Sequence, residues 1–106
     1  MSVKELMDKK IAEKPVFVVS KSYCPFCVKA KQVLKKYNIP ADKIEIIDIE
    51  NDANCGEIQD YMKQITGGRS VPRVFIGGKC IGGGDETAAA DKNGKLQGML
   101  QAAGAV

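Results

Sequence analysis

The segment Val16–Cys27, with the sequence VFVVSKSYCPFC, decides how the chain folds. It begins with Val16–Val19, a continuous apolar run that is typical of a strand buried on both faces. It ends with Cys24 and Cys27 in a CxxC pair, where the strand pattern gives way to a helical one. Pro25 favours a helix start here, because the first turn of a helix does not use the missing N–H. A CxxC pair between a strand and a helix is typical of a thiol redox site.

Helical and strand patterns alternate on both sides of this segment. Apolar residues at helical spacing predict helices, and short runs rich in β-branched residues predict strands. The expected helices are Ser2–Glu13, the segment from Cys24 to Tyr37, Ile58–Ile65, Glu86–Asp91 and Leu96–Ala103, and the expected strands are Val16–Val19, Ile44–Ile49, Val74–Ile76 and Lys79–Ile81.

The order of these elements predicts an α/β fold with one mixed sheet. The first two strands are joined through a helix and are expected to be parallel. Gly77–Gly78 predicts a two-residue turn, so the last two strands form an antiparallel hairpin. Together they make a four-stranded mixed sheet flanked by helices. Gly82–Gly84 is expected to form a flexible bend after the hairpin. No repeat or linker interrupts the pattern, and residues 1–106 are expected to form a single domain.

The composition excludes several classes of active site. The chain has 106 residues and contains neither His nor Trp. Without His, no Ser-His-Asp triad, Cys-His pair or histidine-ligated metal site can form. The chain has sixteen Lys and Arg residues and thirteen Asp and Glu residues. This mild excess of positive charge does not indicate a nucleic-acid partner. No apolar run approaches the ~20 residues that span a bilayer, and no signal-peptide pattern is present. We therefore expect a cytoplasmic protein with no membrane partner, and a monomer.

Cys24 is the expected nucleophile of the CxxC pair. At the helix N-cap its sulfur faces the free N–H groups of the first turn, which favour the thiolate together with the helix dipole and Lys21. Cys27 follows one turn later, close enough to form a disulfide with Cys24, and is the expected resolving cysteine. A structural zinc site is the alternative interpretation, but it needs a second pair of ligands, and Cys55 and Cys80 stand alone in the sequence.

Several short motifs, in order and at matching spacing, give the sequence a close resemblance to the glutaredoxins over nearly its whole length. It resembles the dithiol class, which has a Cys-Pro-aromatic-Cys site. The motifs that carry the resemblance are Lys21–Cys27, Ser70–Pro72, Gly77–Lys79, and Ile81–Gly83 followed by Asp85 and Glu86. The resemblance implies a thioredoxin-like fold and a glutathione-dependent oxidoreductase that reduces protein disulfides and protein–glutathione mixed disulfides. Glutathione is then the co-substrate, and no metal or nucleotide is expected.

The resemblance also implies which residues bind glutathione. This tripeptide has two carboxylates, one amine and a sulfur, so its site needs fixed cations, backbone donors and one anion. Lys21 is similar to the family lysine that meets the glycine-end carboxylate. Gln59 is similar to a polar residue on the third helix that assists that lysine. Phe26 is similar to the aromatic residue, usually Tyr, that forms a wall of the groove.

Further positions are implied on the opposite side of the groove. Val71 corresponds to the residue whose backbone pairs with the cysteinyl part of glutathione, as an added strand does. Pro72 corresponds to a cis-proline that presents this backbone toward Cys24. Asp85 and Glu86 resemble the pair that receives the γ-glutamyl end. Their N–H groups at a helix start would hold its carboxylate, and a side-chain carboxylate would meet its amine.

Two other functions compete with this interpretation. Some glutaredoxins hold a [2Fe–2S] cluster between two subunits through their first Cys and glutathione, but these typically have Gly or Ser where this chain has Pro25. A thioredoxin-type protein recycled by a flavoenzyme is the other alternative, which Tyr23 disfavours because thioredoxins have Trp there. The sequence is compatible with both a monothiol and a dithiol route, and it does not specify the protein substrates.

Overall fold

The computed structural model describes all residues, 1–106, and its four strands form one sheet in the order β2-β1-β3-β4. The strands are β1 (Val16–Ser20), β2 (Ile44–Asp48), β3 (Arg73–Ile76) and β4 (Lys79–Gly82). The helices are α1 (Val3–Glu13), α2 (Pro25–Lys35), α3 (Cys55–Thr66), α4 (Gly84–Lys92) and α5 (Lys95–Ala102), and one 3-10 turn (Ala41–Lys43) precedes β2. β1 runs parallel to β2 and antiparallel to β3, and β3 pairs antiparallel with β4. The predicted α/β class and mixed sheet are confirmed.

The central strand β1 is buried along its whole length and supplies both cores of the protein. Because successive side chains of a strand point to opposite faces, Val16 and Val18 pack on one face with side chains of α2, α4 and α5. Phe17 and Val19 pack on the other face with side chains of α1 and α3. The Phe17 ring lies 6.1 Å from that of Phe75 on β3. Helices therefore cover both faces of the sheet and fix β1, whose last residue, Ser20, precedes Cys24 by four positions.

The β3–β4 hairpin turns at two glycines, as predicted. Gly77 and Gly78 have φ angles of 60° and 82°, and a two-residue turn with both central residues in this region matches the twist of the flanking strands. The pairing register of β3 with β4 shifts between Val74 and Phe75, so the ladder of the hairpin is irregular at this point. None of the helices has the length and apolar character needed to cross a membrane.

Most element boundaries differ from the predictions by one to three residues, and two of the differences have a clear local cause. α2 ends at Lys35 and does not reach Tyr37, because the next N–H groups bond to the third carbonyl before them and tighten the last turn. The bend predicted over Gly82–Gly84 is confined to Gly83. Gly82 pairs with Val74 in the sheet, and Gly84 already begins α4, because the Glu86 carboxylate accepts a hydrogen bond from the Gly83 N–H at 2.6 Å and caps the helix.

Candidate active site

The connection from β1 to α2 places Cys24 at the N-cap of the helix, with Pro25 in its first turn, as the sequence predicts. The N-cap residue has extended backbone and the following residues are helical, so the first N–H groups of α2 have no partner within the helix. Two of those groups, from Phe26 and Cys27, favour the charged form of the Cys24 sulfur, although Cys24 accepts no side-chain capping hydrogen bond. The local sequence thus builds a donor set around one thiol before any distant residue contributes.

The surroundings of Cys24 favour its thiolate. Partial burial on its own would raise the pKa of this thiol. The nearby N–H groups of Cys27 and Phe26, the Cys27 thiol and the positive charge of Lys21 together outweigh that effect. The net result is a pKa of Cys24 below the ordinary thiol value, which increases the population of the nucleophilic form at neutral pH.

Cys27 has the opposite environment. Its side chain is fully buried, and burial raises the pKa of the Cys27 thiol. The nearby Cys24 sulfur raises this pKa further, whereas the N–H of Lys21, which lies 3.4 Å from the Cys27 sulfur, and the Ser20 hydroxyl lower it. The CxxC pair therefore contains one accessible thiol that favours ionisation and one buried thiol that resists it.

The segment that faces Cys24 comes from the loop before β3. The Val71–Pro72 peptide bond is cis, which agrees with the expectation for Pro72. The Cys24 thiol donates a weak hydrogen bond to the Val71 carbonyl, with 3.8 Å between sulfur and oxygen. The Val71 backbone therefore lies next to the reactive sulfur. A thiol compound bound there could contact both the Val71 backbone and Cys24.

A cleft of about 390 Å³ opens beside this segment. Small-molecule sites commonly measure roughly 300–1,000 Å³, so the cleft has room for a tripeptide. It is lined by Phe26, Ser70, Val71, Pro72, Arg73, Gly83, Gly84, Asp85 and Glu86. Five of the predicted glutathione-binding residues meet here. A larger cleft, of about 710 Å³, lies between α1, α3 and the β3–β4 hairpin and includes none of the predicted site residues.

The two acidic residues of the cleft already have partners within the protein. The Asp85 carboxylate pairs with the Lys29 ammonium of α2 at 2.9 Å, and both side chains are largely exposed. One oxygen of Glu86 caps α4 through Gly83. An incoming ammonium group would therefore compete with Lys29 for Asp85, an exchange between exposed charges that costs little.

The remaining predicted residues, Lys21 and Gln59, lie outside the lining of the cleft. Lys21 is partly exposed and pairs with no carboxylate, so its ammonium is available to an anionic ligand. Gln59 is buried, and its amide donates a 2.8 Å hydrogen bond to the Arg69 carbonyl. The structure therefore gives Gln59 a role in holding the loop before Val71, and its predicted contribution to carboxylate binding stays a prediction.

Sequence reasoning missed Arg73, which lines the cleft and is its one cationic residue. Its position directly after Pro72 was the available signal, since the first residue of a strand that follows the facing loop has to lie near that loop. Sequence reasoning also missed the close approach of α4 to α2. A Cβ on Gly84 would lie 2.5 Å from the Phe26 carbonyl oxygen, so glycine permits this contact.

Comparison with known proteins agrees with this geometry. The sequence model of the Glutaredoxin family matches residues 16–81, which include β1, the CxxC pair, the Val71–Pro72 segment and most of the hairpin. The chain belongs to the glutaredoxin family. The predicted family and the glutathione-dependent thiol–disulfide oxidoreductase activity are confirmed, with glutathione as co-substrate.

Individual relatives support the assignment over the full length. Human Glutaredoxin-1 is 39% identical to this glutaredoxin over 102 residues, which are 96% of each chain. The crystal structure of oxidized glutaredoxin 2 from Chlamydomonas reinhardtii matches with a TM-score of 0.91 and 50% identity, and the match covers all of both chains. A buckwheat glutaredoxin–glutathione complex matches with a TM-score of 0.90 and 33% identity, covering 98% of this chain and 92% of that one. The predicted thioredoxin-like fold is confirmed.

The two other cysteines stand apart from the CxxC pair. Cys55 begins α3 and Cys80 lies on β4, and both are half-buried free thiols. No group of three or more His, Cys, Asp or Glu side chains in this glutaredoxin is arranged to hold a metal ion.

Proposed function

We propose that this glutaredoxin reduces protein–glutathione mixed disulfides and protein disulfides, with Cys24 as the attacking and Cys27 as the resolving cysteine. The contrast between the two thiols carries the proposal. The accessible thiol has a lowered pKa and lies 3.8 Å from the carbonyl of Val71, a residue that lines a cleft of tripeptide size, whereas its neighbour is buried with a raised pKa.

In the monothiol route the Cys24 thiolate attacks the glutathione sulfur of a mixed disulfide. A bond forms between the Cys24 and glutathione sulfurs, and the protein thiolate leaves and takes up a proton. The thiolate of a second glutathione then attacks the glutathione sulfur of the adduct, which releases oxidised glutathione and restores the Cys24 thiolate. The low pKa of Cys24 helps twice, because it supplies the nucleophile and makes Cys24 the better leaving group.

In the dithiol route Cys24 attacks a protein disulfide and forms a mixed disulfide with one of its sulfurs. Cys27 then loses its proton and attacks the Cys24 sulfur, so that the reduced protein leaves and a Cys24–Cys27 disulfide remains. Two glutathione molecules reduce this disulfide in two exchanges and leave as oxidised glutathione. The raised pKa of Cys27 keeps it protonated until the substrate is attached, which limits premature attack.

The proposed glutathione site uses the predicted residues in separate roles. Lys21 holds the glycine-end carboxylate, the Val71 backbone pairs with the cysteinyl part, and Phe26, half of whose side chain is exposed, forms a wall. At the γ-glutamyl end the first N–H groups of α4 hold the carboxylate, and Asp85 or Glu86 holds the amine. Pro72 shapes the Val71 backbone, and Gln59 acts through the Arg69 carbonyl. The buckwheat glutaredoxin bound to glutathione supports a ligand of this kind.

We further propose that the protein acts as a monomer in a reducing compartment such as the cytoplasm, on glutathionylated or disulfide-bonded proteins. A reducing compartment suits the proposed reaction, because Cys24 must be a reduced thiol before its thiolate can attack. The exposed Tyr23 and Phe26 flank Cys24 and offer an apolar surface to a protein substrate.

Steady-state reduction of two substrates tests the assignment of the cysteines. One substrate is a small glutathione mixed disulfide, and the other is a protein with an intramolecular disulfide, each with glutathione as reductant. Cys24→Ser should abolish both activities, whereas Cys27→Ser should retain the first and lose most of the second. Cys80→Ser is the matched control and should change neither. Activity of Cys24→Ser on the mixed disulfide would contradict the mechanism.

A further inference from the structure

Arg73 folds back onto the loop that precedes its own strand. Its Nε donates a hydrogen bond to the Ser70 carbonyl, and its Nη2 donates one to the Ser70 hydroxyl, each at 2.7 Å. Arg73 forms no ion pair with any carboxylate. Its contacts with Ser70 span the Val71–Pro72 peptide that faces Cys24.

The guanidinium of Arg73 lies against the backbone of the loop at Gly68. A Cβ on Gly68 would lie 2.6 Å from Nη2 of Arg73, so a side chain here would displace the flexible end of Arg73 from this position. Glycine at residue 68 therefore leaves the guanidinium free to reach Ser70.

Two consecutive carbonyls before Val71 are held from different sides. The buried Gln59 amide holds the Arg69 carbonyl, and Arg73 holds the Ser70 carbonyl from the side of the cleft. When both carbonyls are fixed, little freedom remains in the next peptide unit. That unit belongs to Val71, whose carbonyl lies 3.8 Å from the Cys24 sulfur.

We propose that Arg73 is a positioning residue for the Val71 backbone, an inference that rests on the proposed use of that backbone in glutathione binding. Arginine suits the role because its planar group directs two parallel donors at neighbouring acceptors, which a lysine ammonium does not reproduce. Arg73 therefore affects how tightly the glutathione moiety binds to the Val71 backbone. The thiolate of Cys24 is set by other groups, namely its helix N–H donors, Cys27 and Lys21.

Steady-state kinetics of Arg73→Met and Arg73→Lys test this role. Lys79→Gln is the control, because Lys79 is an exposed cation on the adjacent strand β4 and forms no ion pair. The substrate is a small glutathione mixed disulfide. Both Arg73 variants should raise KM by roughly threefold to tenfold, the ratio that corresponds to the loss of a net hydrogen bond. Neither should change kcat or the rate of Cys24 alkylation by iodoacetamide by more than about twofold. Lys79→Gln should behave as wild type.

Ser70→Ala provides a second, milder test, since it removes the hydroxyl acceptor and keeps the carbonyl. Its effect on KM should be smaller than that of Arg73→Met, and the double variant should resemble Arg73→Met alone. Amide hydrogen exchange in residues 69–71 should accelerate in Arg73→Met at unchanged global stability. An unchanged KM and unchanged exchange in Arg73→Met would overturn the inference. An inactive wild type would instead overturn the proposed function, and the exchange comparison would still decide the role of Arg73 in holding the loop.

Discussion

The carboxylate of Glu50, two residues beyond β2, accepts hydrogen bonds from the backbone N–H and the hydroxyl of Ser22. The N–H lies 3.2 and 3.3 Å from the two carboxylate oxygens. This pair ties the loop between β1 and α2 to the segment that follows β2. The Ile49 N–H adds a 2.9 Å bond to the Ser20 carbonyl at the start of the same loop. The loop that carries Lys21 is therefore held by a residue outside the CxxC segment, while the Cys24 N–H donates directly to the Lys21 carbonyl at 3.2 Å.

Glu50→Ala should loosen this loop and lower kcat/KM for a glutathione mixed disulfide by roughly twofold to fivefold, the scale of one exposed hydrogen-bonded contact. Glu50→Gln keeps an acceptor for the Ser22 N–H and should recover part of the loss. Steady-state kinetics of the two variants beside wild type make the comparison. Equal kinetics in wild type and Glu50→Ala would show that the contact does not position the loop.

The contribution of the Ser22–Glu50 contact to the stability of the protein depends on pH. The Ser22 hydroxyl, acting with the Ser22 and Glu50 N–H groups, lowers the pKa of the Glu50 carboxyl. Because the folded-state pKa is depressed, the contribution to stability is present above the unfolded value of about 4.3 and is lost as pH falls through the lower folded value. Thermal unfolding of wild type and Glu50→Gln across this acidic range should therefore converge at low pH. A constant difference between them would contradict the linkage.

Lys21→Gln should raise the pKa of Cys24, since it removes the positive charge that favours the thiolate. The rate of iodoacetamide alkylation against pH measures this pKa, because only the thiolate reacts. The midpoint should move to higher pH in Lys21→Gln and stay in place in the control Lys79→Gln. A lower midpoint in Lys21→Gln would mean that the lysine does not act on Cys24 as described.

Asp91 on α4 links that helix to the end of α2. Its carboxylate accepts a hydrogen bond from the Tyr37 hydroxyl and pairs with the Lys36 ammonium. Asp91→Asn should lower Tm by a few degrees, whereas Asp42→Asn, at a carboxylate that forms no ion pair and accepts no side-chain hydrogen bond, should leave Tm nearly unchanged. Differential scanning calorimetry at neutral pH compares the three proteins. Equal losses in both variants would point to a general charge effect rather than to this contact.

The contribution of the Asp91 contacts to stability is limited at both low and high pH. The Lys36 ammonium and the Tyr37 hydroxyl lower the pKa of Asp91, so its contribution is lost as pH falls through that depressed value. The hydrogen bond to Asp91 raises the pKa of Tyr37 to about 12, so the Tyr37 contribution is complete below about 10 and is lost as pH rises through about 12. Tyr37→Phe should therefore differ from wild type in stability at neutral pH and converge with it in strong alkali.

Gly84→Ala should disturb the site from the α4 side. Its Cβ would meet the Phe26 carbonyl oxygen at 2.5 Å, so α4 and the first turn of α2 must separate. We expect a lower Tm and a KM for the glutathione mixed disulfide raised several-fold. Gly98→Ala is the matched control, because nothing lies within 4 Å of its Cβ position in the exposed middle of α5. It should stabilise the protein by about 0.5–1 kcal/mol. A Gly84→Ala variant as stable and active as wild type would show that the helices adjust freely.

The parts of the fold that local sequence determines were predictable. The apolar run of β1, the capping position of Cys24 and the Gly77–Gly78 turn each follow from a few adjacent residues, and the structure has all three. The lowered pKa of Cys24 also follows locally, since most of its donors belong to the same helical turn.

The features that the sequence did not predict depend on residues that are distant in sequence, or on side chains that could form either of two contacts. Gln59 could bind a ligand or the protein, and only the packing of α3 against the loop assigns its amide to Arg69. Glu86 could face the cleft or cap its own helix, and one of its oxygens does the latter. Arg73 resembles any cation that begins a strand until the fold brings its guanidinium onto Ser70.

The central claim is that the Cys24 thiolate takes the glutathione moiety from a mixed disulfide. The direct measurement is to mix Cys27→Ser with one equivalent of a small glutathione mixed disulfide, without free glutathione, and to locate the adduct by peptide mass spectrometry. We predict glutathione on Cys24 alone, at close to one equivalent, and its release as oxidised glutathione when glutathione is added. An adduct on Cys55 or Cys80 with Cys24 unmodified would contradict the account.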